Sequence, residues 1–432
     1  MTDMYTTSKK GNTVAIITMF FIFAMIAFVT NMAAPFGTIW GYRYEWAGMM
    51  GNMMNFAAYL FMGIPAGRML TTVGYKKTAL IALAIGFVGL VIQYLSIIVG
   101  ANIALFDIGG QAVALNLIIY LLGAFVCGFC VCMLNTVVNP MLNILGGGGN
   151  KGNQLVQTGG SLNSLTGTLT PLLVGLLVGT VTAQTSMSNV APLLFIGMAV
   201  FALAFFIISF VNVPEPALHR ASKGRVSYEH SAWHFRHFVL GAIAIFFYVG
   251  LEVGIPNEML FYINSLGFEG SAAIAGFLAA TYWFLMLIGR SLSSVISSKV
   301  STRTQLITVS SVAIVLLLIA IFLPDSIEMT VKGGQVPLKC AFIAACGLCT
   351  SIMWGAIFNL CVEGLGKYTE QASGIFMTLV VGGGIMPLIQ HNVLALNIGY
   401  IPSYWIVVAM LCYMLYYALV GCRNINRDIP VE

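Results

Sequence analysis

Of the fourteen aspartates and glutamates in this 432-residue chain, only Glu252 and Glu258 fall well inside an apolar run. A carboxylate in that setting is costly and is a functional candidate by default. Pro256 stands four residues after Glu252, where it removes the backbone donor that would bond the carbonyl of residue 252. The spacing predicts a broken or bent helix whose freed carbonyls lie beside a carboxylate, as in a cavity-lining segment. Low dielectric disfavours a charged carboxyl, so such a group can bind a proton on one side of a barrier and release it on the other. The alternative role is structural, with Arg43, Lys339 or a tyrosine hydroxyl neutralising either glutamate.

Asn31, Asn135, Asn139, Asn163, Asn257 and Asn359 also lie in or beside apolar runs. A buried polar group without a partner costs roughly 1–3 kcal/mol, so each amide either lines a wet path or bonds a neighbouring helix. Trp283, Trp354, Tyr248 and Tyr282 offer flat apolar faces, or else pack in a core or against lipid. As a set these residues describe a polar cavity better than a sealed bundle. Gln390, His391 and Asn392 fall at the outer end of a run and are expected to face water. The glycines Gly146–Gly149 are no phosphate loop, because no strand precedes them and Lys151 is not followed by Ser or Thr. Cys127, Cys130 and Cys132 read as small apolar helix residues rather than metal ligands or disulfide partners. With no nucleophile–base pair or metal cluster in view, neither enzyme activity nor a cofactor is expected.

The elements that must hold these residues follow from composition. The chain is 59% hydrophobic and 8% charged, against roughly 25% charged for a soluble domain. Runs of about 20 apolar residues, long enough to cross a hydrocarbon core of roughly 30 Å, recur throughout. They cover 13–35, 46–70, 77–99, 112–134, 153–179, 191–213, 237–263, 271–298, 305–323, 338–361, 371–392 and 402–421. The expected fold is therefore an all-α integral membrane protein of twelve transmembrane helices. The first run is too long for the core of about 7–15 residues in a cleavable signal peptide, and no small-residue cleavage site follows it. With the N-terminus inside, sixteen of the nineteen Lys and Arg face the cytoplasm, and only Arg43, Lys332 and Lys339 face out. Both termini are expected to be cytoplasmic, in a cell inner membrane. The net charge of +5 then needs no nucleic-acid partner.

The longest polar segment, 214–236, divides the runs into an N-terminal half, 1–213, and a C-terminal half, 237–432. It holds His219, His230 and His234, which lack the fixed geometry of a metal site, so a solvated cytoplasmic linker is expected. A repeat supports the division. Gly67-Arg68 followed by Lys76 matches Gly289-Arg290 followed by Lys299, and Asn139 followed by Gly146 matches Asn359 followed by Gly366. The offsets are 222 residues for the arginines and 220 for the asparagines. Two duplicated six-helix halves, with a site near the midplane between them, describe a rocker-type secondary transporter.

Residues 63–77, GIPAGRMLTTVGYKK, resemble the loop between the second and third helices of the major facilitator superfamily. Gly63 and Gly67 allow close backbone approach, and Arg68 can snorkel or pair with helix-end carbonyls. With Arg290 they form the expected cytoplasmic gate. Thr71 and Thr72 stand where an aspartate commonly precedes the second basic cluster, which tells against a charge-relay form of the latch.

Three further stretches are similar to one branch, the fucose/galactose/glucose–proton symporter family. They are Asn139-Pro140 through Leu162-Asn163-Ser164-Leu165, residues 247–253 (FYVGLEV), and the run from Ser351 and Trp354 through Lys367 and Gly374 to Pro387. The resemblance implies the major facilitator fold, a sugar substrate, a proton co-substrate, and Asn163 as a ligand to sugar hydroxyls. It departs where coupling is concerned. Members of the family place an acid late in helix one and another four residues before the Asn-Pro. Asn31 and Asn135 stand there, and neither exchanges a proton. Coupling then falls to Glu252 or Glu258, and sodium stays open because amide oxygens and free carbonyls serve a cation. The expected substrate set is Asn31, Asn135, Asn139, Asn163, Glu252, Asn257, Asn359, Trp283 and Trp354, in a monomer importing a neutral sugar. Open alternatives are an uncoupled facilitator, a permease for amino sugars, sialic acid or muropeptides, and a transporter-like sensor without transport. No basic residue stands central enough in the sequence to favour an anionic substrate.

Overall fold

The computed structural model describes residues 9–48, 50–108, 110–178, 184–216, 230–426 and 428–431. Most of the linker, 217–229 with His219, lies outside the described residues. The helices are α1 Lys9–Arg43, α2 Met50–Thr72, α3 Tyr75–Ile98, α4 Leu115–Leu145, α5 Gly149–Val178 and α6 Ala191–Phe210. They continue as α7 Arg236–Ser265, α8 Ser271–Ile296, α9 Thr302–Phe322, α10 Lys339–Val362, α11 Gly366–Ile398 and α12 Tyr400–Gly421. Ten of the described helices are long and apolar enough to cross a membrane. At 23 and 30 residues, α2 and α5 have the length, but α5 is rich in Gly, Ser, Thr, Asn and Gln.

The helical architecture is as expected, with one addition that the sequence did not suggest. Two short antiparallel hairpins interrupt the helices, β1 Ala104–Ile108 with β2 Gln111–Ala114 before α4, and β3 Glu328–Val331 with β4 Gly334–Pro337 before α10. Strands of four or five residues are too short to stand out from the apolar runs beside them. In the second hairpin Val331 pairs with Gly334, so Lys332 and Gly333 form a two-residue turn. Both have positive φ, 49° and 85°, the geometry that follows the right-handed twist of the strands. The hairpins begin 224 residues apart, close to the offset of the sequence motifs.

By its internal packing the chain forms two compact units. The first comprises residues 1–145, 165–228 and 373–378; the second comprises 146–164, 229–372 and 379–432. In the first unit, small residues bring α3 and α4 close: a Cβ at Gly89 would lie 2.8 Å from the Cys127 backbone nitrogen. The start of α3 is tied to the end of α6. Lys76 Nζ donates to the Ser209 carbonyl at 2.7 Å, and the Glu215 carboxylate accepts from the backbone nitrogens of Tyr75 and Lys76 at 2.6 and 2.8 Å. Both contacts satisfy groups that a helix end leaves without partners.

The second unit repeats the device with an arginine. Arg303, in the first turn of α9, donates to the carbonyls of Ala418 and Leu419 in the last turn of α12. That turn is π-helical, Tyr417–Gly421. Arg303→Ala should lower stability by about 1–3 kcal/mol, the usual loss for a hydrogen bond to a charged group. Arg303→Lys should recover only part, because an ammonium lacks the planar fork. Thermal unfolding in detergent measures both.

α7, expected to be broken or bent at Pro256, is not broken. The Tyr404 hydroxyl donates to the Ile255 carbonyl at 2.8 Å beside the proline. The interruptions fall in other helices. α10 turns at Ser351–Ile352, between Thr350 and Met353. α11 has a 3-10 turn at Leu379–Val381 and a π-helical segment, Ile389–Ala395, just after Pro387.

Candidate functional site

The turn in α10 is the scaffold of a polar cluster within the second unit. Gly289 of α8 lies against it, so close that a Cβ there would stand 2.7 Å from the Leu348 carbonyl. That approach carries the next residue, Arg290, into contact with three elements. Its Nε donates to the Ser351 carbonyl at 3.0 Å, and its Nη1 to Ser164 Oγ at 2.6 Å and to the Gly160 carbonyl at 3.4 Å, both on α5. Its Nη2 pairs with Glu252 Oε1 of α7 at 3.0 Å.

The two side chains are 12% and 13% exposed, so the pair is nearly out of water. The same carboxylate oxygen accepts from the Tyr248 hydroxyl at 2.8 Å, and the Tyr248 ring meets Trp354 edge to face, centroids 6.3 Å apart. Gln157 of α5 donates to the Ile352 carbonyl at 2.8 Å. A pair this buried is tolerated only when its remaining donors and acceptors are matched. Here the Arg290 fork meets four acceptors. Arg290, expected at a cytoplasmic gate, is the partner of Glu252, a pairing that sequence spacing did not suggest.

The other expected residues are scattered around this cluster or away from it. Asn163 is half-buried, next to Ser164 on α5. Asn257 is half-buried on α7. Asn359 is buried and donates to the Gly149 carbonyl at 3.1 Å, tying α10 to the start of α5. Trp283 is 43% exposed, its ring edge-on to Tyr282, whose hydroxyl meets Thr350.

In the first unit, Asn135 Nδ2 donates to the Tyr59 hydroxyl at 2.9 Å, and Asn139 Nδ2 to the Asn135 carbonyl at 2.8 Å. Asn31 Nδ2 donates to the Ala27 carbonyl at 2.8 Å and stands where a Cβ on Gly167 would meet it at 2.9 Å. Gly63 and Gly67 of α2 are buried against Gly374 and Thr378 of α11, while Arg68 is exposed.

Glu258 is 2% exposed, and His391 Nδ1 lies 3.3 Å from both of its oxygens. Gln390 is likewise buried, at 1%. The expectation that Gln390 faces water is therefore corrected, while His391 is partly exposed and Asn392 is exposed. The π-helical segment changes which residues turn inward, and no pattern in the sequence signals it.

Neither Arg43 nor Lys339 neutralises a membrane glutamate. Arg43 lies over the rings of Trp40 and Tyr44, and Lys339 pairs with Asp325 just beyond α9, which also accepts from Tyr262 at 3.0 Å. The Lys339 hydrogen bond, helped by that of Tyr262, holds the Asp325 carboxyl below its ordinary range. A depressed pKa stabilises the fold above the unfolded value, about 3.9, and the contribution is lost as pH falls through the folded value. Asp325→Asn should thus melt below the parent at pH 6, and the two curves should converge in acid. Among the described residues no cluster of His, Cys, Asp or Glu could hold a metal ion.

A chain with ten membrane-length apolar helices among its described residues, and a nearly buried ion pair at an interrupted helix, has the make-up of a polytopic membrane protein with a polar interior. Its sequence matches the Major Facilitator Superfamily over residues 14–387, and the chain belongs to that family of membrane transporters. It is 28% identical to the glucose/galactose transporter of Brucella abortus biovar 1 (strain 9-941), over 97% of each chain. It is 23% identical to the L-fucose-proton symporter of Escherichia coli (strain K12), over 88% of this chain and 85% of that one. A crystal structure of FucP in the outward conformation superposes with a TM-score of 0.73 at 18% identity, covering 94% of this chain and 97% of that one.

Proposed function

We propose that this protein imports a neutral sugar across a cell inner membrane by alternating access, coupled to a proton or sodium gradient. The observation that carries the reading is the Arg290–Glu252 pair with Ser164, Tyr248 and Trp354 around it, in a chain related throughout its length to a glucose/galactose transporter. A guanidinium and a carboxylate side by side present donors and acceptors to adjacent hydroxyls, and their charges cancel. That suits a neutral polyol better than an anion. Trp354 would cover the apolar face of the ring, and Asn163 and Asn257 would add amides. Asn135 and Asn359 each bond a neighbouring helix, while Asn31 and Asn139 turn their Nδ2 back onto carbonyls of their own helices, so these four are placed behind Asn163 and Asn257 as sugar ligands.

In this reading all twelve helices span the bilayer, in halves 1–213 and 237–432 joined by a cytoplasmic linker, with both termini cytoplasmic. The contacts of α2 with α11, and of α5 with α8 and α10, are those the access cycle must break and remake. Glu258 stays a coupling candidate.

The test is sugar counterflow and gradient-driven uptake in proteoliposomes with glucose, galactose and fucose, under imposed proton or sodium gradients. Asn163→Ala should reduce uptake at least tenfold. Ligand-dependent stabilisation of the purified protein gives an independent readout, because a bound sugar raises apparent stability by mass action. Failure of every sugar in both assays would end this reading.

A further inference from the structure

We infer that Glu258 and His391 together form the proton-binding site that couples transport, an inference that rests on the sugar-import reading. Two carboxylates lie well inside the helices of the second unit, and their partners differ in kind. Glu252 is held by Arg290 and Tyr248. A guanidinium does not titrate in proteins, so a proton placed on Glu252 would leave a buried positive charge without its counterion. Glu258 is held by an imidazole, whose two ring nitrogens can each carry or release a proton, as a guanidinium cannot. Nδ1 lies 3.3 Å from each carboxylate oxygen, so a small approach of the ring would bring either oxygen into proton-transfer contact.

The geometry also supplies a route. The Glu258 carboxylate side chain is 3% exposed and the imidazole 26%, so protons reach the acid through the histidine. His391 lies on the π-helical segment after Pro387, and π-helical turns within α-helices are frequent at functional sites. The ring is seated between Phe261 of α7, 4.4 Å away, and Tyr400 of α12, 6.3 Å away. The neighbouring Gln390 packs on Gly254 of the same α7 that carries both glutamates, and its buried Nε2 has no protein partner. Glu252 and Glu258 are six residues apart, about 9 Å along the helix axis, so a shift of α7 or α11 at one is felt at the other.

Among the described residues, Tyr400 of α12 stands with its ring 6.3 Å from that of His391, Tyr404 of α12 meets α7 at Ile255, three residues before Glu258, and Tyr262 follows Glu258 by four residues on α7; the charged groups nearest along these elements are Arg290 on α8 and Lys339 at the start of α10. Tyr404 is bonded to the Ile255 carbonyl, Lys339 and Tyr262 to Asp325, and Arg290 to Glu252. His391 is thus the group free to exchange charge with Glu258. The step breaks and forms only N–H and O–H bonds: one proton enters from water on one side and leaves to water on the other.

The experiment is sugar-driven proton entry into proteoliposomes, read with an entrapped pH dye beside counterflow of the same sugar. In the parent, adding sugar outside should acidify the lumen. Glu258→Gln and His391→Asn should each cut proton entry per sugar exchanged at least tenfold and flatten the pH dependence of uptake between pH 5 and 8. Should Glu258→Gln fail to fold, His391→Asn, at the more exposed partner, carries the test alone. Proton entry per sugar equal to the parent's in His391→Asn overturns the inference. Counterflow in the parent without proton entry overturns it too, while leaving sugar transport standing. Absence of counterflow in the parent defeats the sugar reading itself.

Discussion

Arg290→Ala should abolish sugar binding and uptake and destabilise the protein by about 3–5 kcal/mol, the range for removing one partner of a buried ion pair. The loss has two parts that a second substitution separates. Without the guanidinium, the Glu252 carboxylate is left buried with only the Tyr248 hydroxyl against it. Adding Glu252→Gln removes that stranded charge, so the double variant should regain a large share of the stability while still failing to bind. The share not regained measures the bonds to Ser351, Gly160 and Ser164, which a glutamine on α7 cannot replace. Arg290→Lys should fall between, because an ammonium cannot meet acceptors on three elements at once. Chemical denaturation and sugar titration of the parent, Arg290→Ala, Glu252→Gln and the double variant close the cycle. Parent-like affinity in Arg290→Ala would remove this cluster from the substrate site. No recovery in the double variant would mean that the arginine acts as a helix tie rather than as a counterion.

Those substitutions also show where sequence reading reached and where it stopped. Helices were legible because apolar length alone requires them, and Glu252 was legible because a carboxylate in an apolar run is rare. Its partner was not. Arg290 follows a glycine and precedes Lys299, so it read as the counterpart of Arg68, and only the fold shows that Gly289 brings it against the turn in α10.

The interruptions were misplaced for a related reason. Proline rules pointed to Pro256, yet α7 passes through it unbroken. α10 turns at Ser351–Ile352 with no proline nearby, where Gln157 and Arg290 supply donors to both carbonyls. Tertiary hydrogen bonds decide which helix yields, and they join residues 61 and 195 positions apart. The hairpins and the π-helical segment holding His391 lay below the length at which periodicity carries information.

Gly63→Ala carries the other large expected effect, on the transport cycle more than on the fold. A Cβ at Gly63 would stand 2.5 Å from the Thr378 backbone nitrogen and 2.7 Å from the Gly374 carbonyl. Both obstacles are backbone, so no side-chain rotation relieves them, and α2 must draw away from the α11 segment. Overpacking of this kind costs about 1–3 kcal/mol. If that contact is made in one stage of the cycle and broken in another, the cost falls on one conformer alone. Each 1.4 kcal/mol then shifts the balance about tenfold, and uptake should fall by about one to two powers of ten while helix content stays at the parent level. Backbone amides of Ser373–Thr378 should exchange faster with deuterium, because the face that covered them has withdrawn. Gly276→Ala on α8 is the matched control: nothing lies within 4 Å of the added carbon, and alanine is the better helix former by up to about 1 kcal/mol. Parent-like uptake and unchanged exchange in Gly63→Ala would show that α2 and α11 stay apart or together throughout, and the gate would then have to be sought where α5 meets α8 and α10.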